Sequence, residues 1–222
     1  LSFTELTESD TLNLIKKAKT IFWDFDGVIK DSVSIKSEAF ERLFQPFGDE
    51  VSKKVKKHHE ENGGMSRFEK LPIYLEWAGK NSSKSLVLEY EKKFSKIVMQ
   101  KVIDSPWVVG VLDYLKKNAK KQQFFIVTAT PHAEIIKILK ELKIIKLFKQ
   151  VVGSPTSKKI AINQLLIKHK IKSDYALMIG DSNSDYEAAI ENKVKFILRK
   201  TELNKNLQKK LKCKKINDFL NG

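Results

Sequence analysis

The feature that most constrains this chain is a set of short, uninterrupted apolar runs, each handing over at once to a charged or hydroxylated residue. Thr20 to Trp23 leads into Asp24, Asp26 and Gly27; Gln123 to Val127 leads into Thr128; Ala176 to Ile179 leads into Gly180 and Asp181; and Lys195 to Leu198 forms a fourth run. A run with no polar alternation is what a strand buried on both faces requires, and such strands belong to parallel sheets covered by helices. Helical patterns lie between the runs, over Val108 to Asn118, Ala133 to Leu142, Ser157 to His169 and Ser184 to Asn192. The alternation predicts an α/β fold, a doubly wound parallel sheet.

Residues 34–104 break the alternation. They show four helical patterns, Ile35 to Phe47, Glu50 to Glu61, Ser66 to Ala78 and Ser83 to Val102, and no convincing strand. The expected organisation is a core of 1–33 and 105–222 with a small α-helical cap over 34–104. A packed insertion placed after the first strand would sit over the strand ends, where open α/β sheets bind ligands.

Composition narrows the function. The 222 residues hold 42 Lys plus Arg against 27 Asp plus Glu, a net charge of +15 that favours anionic partners. The segment from Lys193 to Gly222 is richest, with ten basic residues against Glu202 and Asp218. These lysines lack the aromatic interleaving that single-strand binding uses, so nucleic acid is disfavoured as a partner and a solvated basic face is the better account. No apolar stretch is long enough to span a bilayer, so no membrane partner is expected. No basic n-region with an apolar core opens the chain and Cys213 is the single cysteine, which together point to a cytoplasmic protein without an intrachain disulfide. Four scattered histidines and that cysteine offer no zinc-ligand spacing.

The candidate chemistry sits at the run ends. With Phe25 facing the core, period-two geometry would turn Asp24 and Asp26 into one cleft, where two carboxylates repel unless a cation or proton is shared. In a parallel sheet the other run ends open on the same crevice, bringing Thr128, Ala129, Thr130, Lys158 after Gly153-Ser154-Pro155, Asp181 and Asp185 toward them. Carboxylates for a hard cation, a lysine for phosphoryl charge and hydroxyl or N–H donors for oxygens make a phosphoryl-transfer inventory. Lys158 and Lys159 are adjacent; the expected helix start favours Lys158.

The set Asp24-Phe25-Asp26-Gly27-Val28, Thr128, Lys158 and Gly180-Asp181-Ser182-Asn183-Ser184-Asp185 resembles the four motifs of the haloacid dehalogenase superfamily, with the helical insert at the place of its type 1 cap. The resemblance implies Asp24 as nucleophile, Asp26 as general acid and base, Thr128 and Lys158 on the transferred phosphoryl group, and Gly27, Ala129 and Thr130 around it. It implies Mg²⁺ held by Asp24, the Asp26 carbonyl and Asp181, with Asp185 either touching the metal through water or orienting Lys158. The implied function is a Mg²⁺-dependent phosphatase for a small phosphorylated metabolite such as a phosphosugar or phosphoglycolate. Asp26 argues against dehalogenation, because a departing halide needs no proton. The alternative is a phosphosugar mutase, which resembles this cap type but commonly carries a histidine twelve residues after the nucleophile, where this chain has Lys36. A non-catalytic or nucleic-acid-binding protein is the remaining alternative. In the cap, Arg67 is the candidate for gripping a substrate anion with its planar fork, Lys36 is a second candidate contact, and Ser66 with Glu69 matches a capping box. His58 and His59 are given no role. Either a monomer or a homodimer is compatible with the sequence.

Overall fold

A computed structural model describes residues 8–220. Six strands form one wholly parallel sheet: β1 (Thr20–Trp23), β2 (Gln123–Pro131), β3 (Gln150–Ser154), β4 (Ala176–Gly180), β5 (Lys195–Arg199) and β6 (Lys214–Ile216). Their spatial order is β3-β2-β1-β4-β5-β6, with β1 between β2 and β4. The sheet is the predicted doubly wound one, with two additions. β3 occupies one edge, and β6, inside the lysine-rich segment, occupies the other.

Period-two alternation explains how the continuous runs build the core. Ile21, Trp23, Phe124, Ile126, Leu177 and Ile179 pack on one face, while Phe22, Phe125, Val127, Met178, Phe196 and Leu198 pack on the other. The first face is covered by α1 (Glu8–Lys17), α6 (Val111–Asn118) and α7 (His132–Glu141), the second by α8 (Lys158–Lys168) and α9 (Asn183–Glu191). A short α10 (Lys205–Lys210) precedes β6. The basic C-terminal segment is therefore not merely a solvated face. Leu211, Ile216 and Phe219 are buried, and the Phe219 ring lies 5.4 Å from that of Trp23.

Between β1 and α6 the chain makes four helices, α2 (Val33–Phe44), α3 (Asp49–Glu61), α4 (Arg67–Trp77) and α5 (Lys84–Asp104), and no strand. Aromatic rings hold them together: Phe40 stacks on Phe94 at 3.9 Å and Tyr74 meets Phe44 edge-on at 5.6 Å. At α4 the capping box forms, with the Ser66 N–H donating to the Glu69 carboxylate at 3.0 Å. The insert leaves and returns through adjacent backbone: Asp31 N–H donates to Pro106 O at 2.9 Å and Val108 N–H to Ile29 O at 3.0 Å. Lys30, 2% exposed, seals this crossing by donating to Ile103 O at 3.0 Å and lying over the Trp107 ring.

Candidate active site

The strand order puts the ends of β1, β2 and β4 side by side, and the α8 N-terminus completes the ring. Asp24 and Asp26 line one cavity with Thr128, Ala129, Thr130, Lys158 and Asp181. Phe25 between the two aspartates is fully buried in the core, as the alternation required. Lys158, at the first position of α8 behind the Ser157 cap, donates to Asp24 Oδ2 and to Asp185 Oδ1, both at 2.6 Å. Lys159 faces away and pairs with Glu191 at the surface.

Close backbone approach makes two glycines necessary. Gly27 has φ +73°, and a Cβ there would lie 2.1 Å from Asp181 Oδ2. Its contribution is space for Asp181. A Cβ on Gly180 would lie 2.2 Å from that of Asp185. Asp185 is fully buried; besides Lys158 it accepts from the Ser182 N–H at 3.1 Å and closes a capping box with Ser182 at the start of α9. Both of its oxygens thus accept from the protein, which makes it an orienting group for Lys158.

Electrostatics separate the two aspartates. Burial, then the neighbouring Asp185, push the Asp24 carboxyl up to about 7 against the pull of Lys158. Burial and the Asp24 charge raise Asp181 well above the ordinary range. Asp24, Asp181 and Asp185 each present an oxygen within 4.8 Å of the others. Lys158 alone leaves this cluster under-neutralised, so an oxygen-seeking divalent cation fits its donor set. For Asp26, burial also raises the carboxyl, but the Lys36 charge and hydrogen bonds from Lys36, Ser32 and Thr130 outweigh it and bring the group below its ordinary value. Lys36 donates to Asp26 Oδ2 and, at 2.8 Å, to Thr130 Oγ1, which in turn donates to Asp26 at 2.9 Å.

Arg67 differs from expectation. It lines the cavity, but its fork is filled by Glu134 of α7, with Nη1 to Oε2 at 2.9 Å and Nη2 to Oε1 at 2.7 Å. Ser95 bonds both partners and the guanidinium lies 4.6 Å from the Phe94 ring centre. A carboxylate of matching geometry is already in place, so Arg67 ties the helical insert to the sheet's helices and does not present a free fork to substrate. Two polar residues of the cavity had no role in the sequence reading, His59, which was set aside there, and Lys70, both buried. A lysine in an amphipathic helix reads as solvated until the neighbouring helices are placed.

A family model described as haloacid dehalogenase-like hydrolase matches residues 21–199. A phosphorylated carbohydrates phosphatase of Thermotoga maritima is 23% identical over 179 residues, covering 77% of this chain and 80% of the relative. Among solved structures, CbbY of Rhodobacter sphaeroides with xylulose-1,5-bisphosphate superposes with a TM-score of 0.73 at 10% identity, covering 91% of this chain and 95% of that one. The β-phosphoglucomutase of Clostridium difficile gives 0.71 at 17% identity, covering 91% and 92%. With the matched segment running from the first strand to the fifth and enclosing every motif at the sheet edge, the chain belongs to the haloacid dehalogenase-like hydrolase family.

Proposed function

We propose that this phosphatase hydrolyses a small phosphorylated carbohydrate or a related phosphate monoester, through an aspartyl-phosphate on Asp24 and with Mg²⁺ as cofactor. The observation that carries the reading is the pair of carboxylates in one cavity, Asp24 held by Lys158 and Asp26 by Lys36 and Thr130. The helical segment 34–104 acts as the cap over a core made of the flanking residues, and the phosphatase of Thermotoga maritima supports the carbohydrate class.

Asp24, Asp181 and the Asp26 main-chain carbonyl would hold the metal, which when bound supplies positive charge against the phosphoryl oxygens. The side chains do the rest. Lys158, kept charged by Asp185 and Asp24 despite burial, aims the nucleophile and offsets phosphoryl charge; Thr128 donates its hydroxyl to a phosphoryl oxygen. An Asp24 oxygen attacks phosphorus, the bond from phosphorus to the ester oxygen breaks, and Asp26 delivers a proton to that oxygen. Asp26 rests ionised, so the proton must reach it first, and Lys36 with Thr130 forms the hydrogen-bonded route. Asp26 then takes a proton from water, whose oxygen displaces Asp24 from phosphorus and frees inorganic phosphate.

Turnover in ¹⁸O-labelled water tests this reading. Stoichiometric phosphate carrying solvent oxygen, abolished by EDTA and restored by Mg²⁺, is expected. Isomer exchange that depends on a bisphosphate activator and releases little phosphate would replace hydrolase by mutase.

A further inference from the structure

Four cationic side chains line the cavity with Asp24 and Asp26: Lys36, Arg67, Lys70 and Lys158. Three already have carboxylate partners, Lys36 on Asp26, Lys158 on Asp24 and Asp185, and Arg67 on Glu134. Lys70 does not. It is 1% exposed, and its ammonium hydrogen-bonds only His59, to Nδ1 at 2.8 Å and to the main-chain oxygen at 3.5 Å. The His59 ring is itself buried, 4.8 Å from the Phe40 ring. Burial, then the charge of Lys70, holds its pKa well below the ordinary value, so the ring is neutral and its Nδ1 lone pair accepts from the ammonium. A neutral acceptor aims the ammonium without cancelling its charge, whereas a carboxylate in its place would do both.

Buried ammonium groups without an anion are rare because desolvation is not repaid. Here burial, then the like charge of Lys36, bring Lys70 down to about 7, at the threshold where an anion would secure the charged form. We propose that Lys70, aimed by His59, receives a second anionic group on the substrate, a carboxylate or a second phosphate on the alcohol side of the ester. The inference rests on the phosphatase reading and specifies its substrate class. The transferred phosphoryl group has Lys158, Lys36 is committed to Asp26, and Arg67 to Glu134. Lys70 is the cavity cation left for another charge. Phe40, Met65 and Phe94 line the same cavity, and an apolar wall of that kind strengthens an ion pair formed within it.

The test compares phosphoglycolate, 1,3-propanediol bisphosphate and the neutral-ended ethyl phosphate as substrates in the presence of Mg²⁺. Wild type should show kcat/KM at least about 10-fold higher for one or both anionic-ended esters, as a single ion pair of modest strength provides. Whichever is preferred identifies the second group. Lys70→Met should bring the ratio to about one and Lys70→Arg should keep part of it. The melting temperature of Lys70→Met should be unchanged or higher, since an uncompensated charge has been removed from the interior. Binding of the same esters by calorimetry in an Asp24→Asn background reads the subsite without turnover. Charge-selective binding with no hydrolysis in wild type would sink the phosphatase reading and keep the subsite. Equal treatment of neutral-ended and anionic-ended esters by wild type, or a ratio unmoved in a folded Lys70→Met, overturns the inference.

Discussion

Asp24 and Asp26 are two residues apart and titrate in opposite directions, Asp24 raised to about 7 and Asp26 lowered. Neighbours decide which is which: Asp185 stands by the first, Lys36 by the second. Asp24→Asn should abolish phosphate release, and Asp26→Asn should slow it at least ~10²-fold, more for poor leaving groups, since the lost term is proton transfer. Lys36→Met removes the charge that opposes burial at Asp26, so that carboxyl should hold its proton to higher pH. Carbon-13 NMR titration of the carboxyls in an Asp24→Asn background, where the group raised to about 7 is gone, should show that upward shift. A carboxyl titration that stays put would show that Lys36 does not set Asp26. Gly27→Ala should weaken magnesium affinity, because its methyl would claim the space of Asp181 Oδ2; metal titration of activity reads this directly. Asp24, Thr128 and Asp181 were legible because each follows an apolar run, and Lys158 and Asp185 because their spacing matched the remaining motifs. Lys70 and His59 were not, because nothing in a helix's own pattern says which cation the next helix will bury.

At the scale of elements, α4 and α7 are joined by a charge pair spanning 67 residues of sequence. Arg67 and Glu134 are both buried, and without Glu134 the guanidinium keeps only the longer 3.6 Å pair with Glu91, so removing either partner leaves a poorly compensated charge. Arg67→Met or Glu134→Leu alone should cost ~3–5 kcal/mol in urea denaturation, while the double replacement should recover much of it. Additive losses would mean that the pair is not coupled. The sequence marked Arg67 as special, from its place after Gly63-Gly64-Met65-Ser66, but its partner depended on tertiary placement. The same contrast separates the strands. β1 and β4 have every residue buried and were plain as apolar runs. β6 has one buried residue of three, among lysines, and is a strand through its parallel pairing with β5. β2 runs on through Thr128 to Pro131, and after Val127 its register with β3 resumes at Pro131 opposite Ser154, across a shift that no apolar run foretells.

Over the whole molecule, the positive charge and the structural role of the C-terminal segment are carried by different side chains. Lys209 and Lys212 are exposed, whereas Leu211, Ile216 and Phe219 are buried. Replacing both lysines with glutamine should leave kcat within about 2-fold, since exposed charge is screened over ~8 Å at physiological salt. Phe219→Ala should cost ~3–5 kcal/mol of stability, as expected for a buried aromatic, seen as a lowered midpoint in chemical denaturation. If the lysines matter to kcat and Phe219 does not matter to stability, this division is wrong. No helix among the described residues is long and apolar enough to cross a membrane. The contact of Phe219 with Trp23, reinforced by the Phe219 N–H donating to Val109 O at 2.8 Å, also bears on biosynthesis. β1, the strand that delivers Asp24, is translated almost 200 residues ahead of one of its ring partners. A chain still being synthesised must therefore hold that indole without this ring contact until Phe219 has been added and can pack against it.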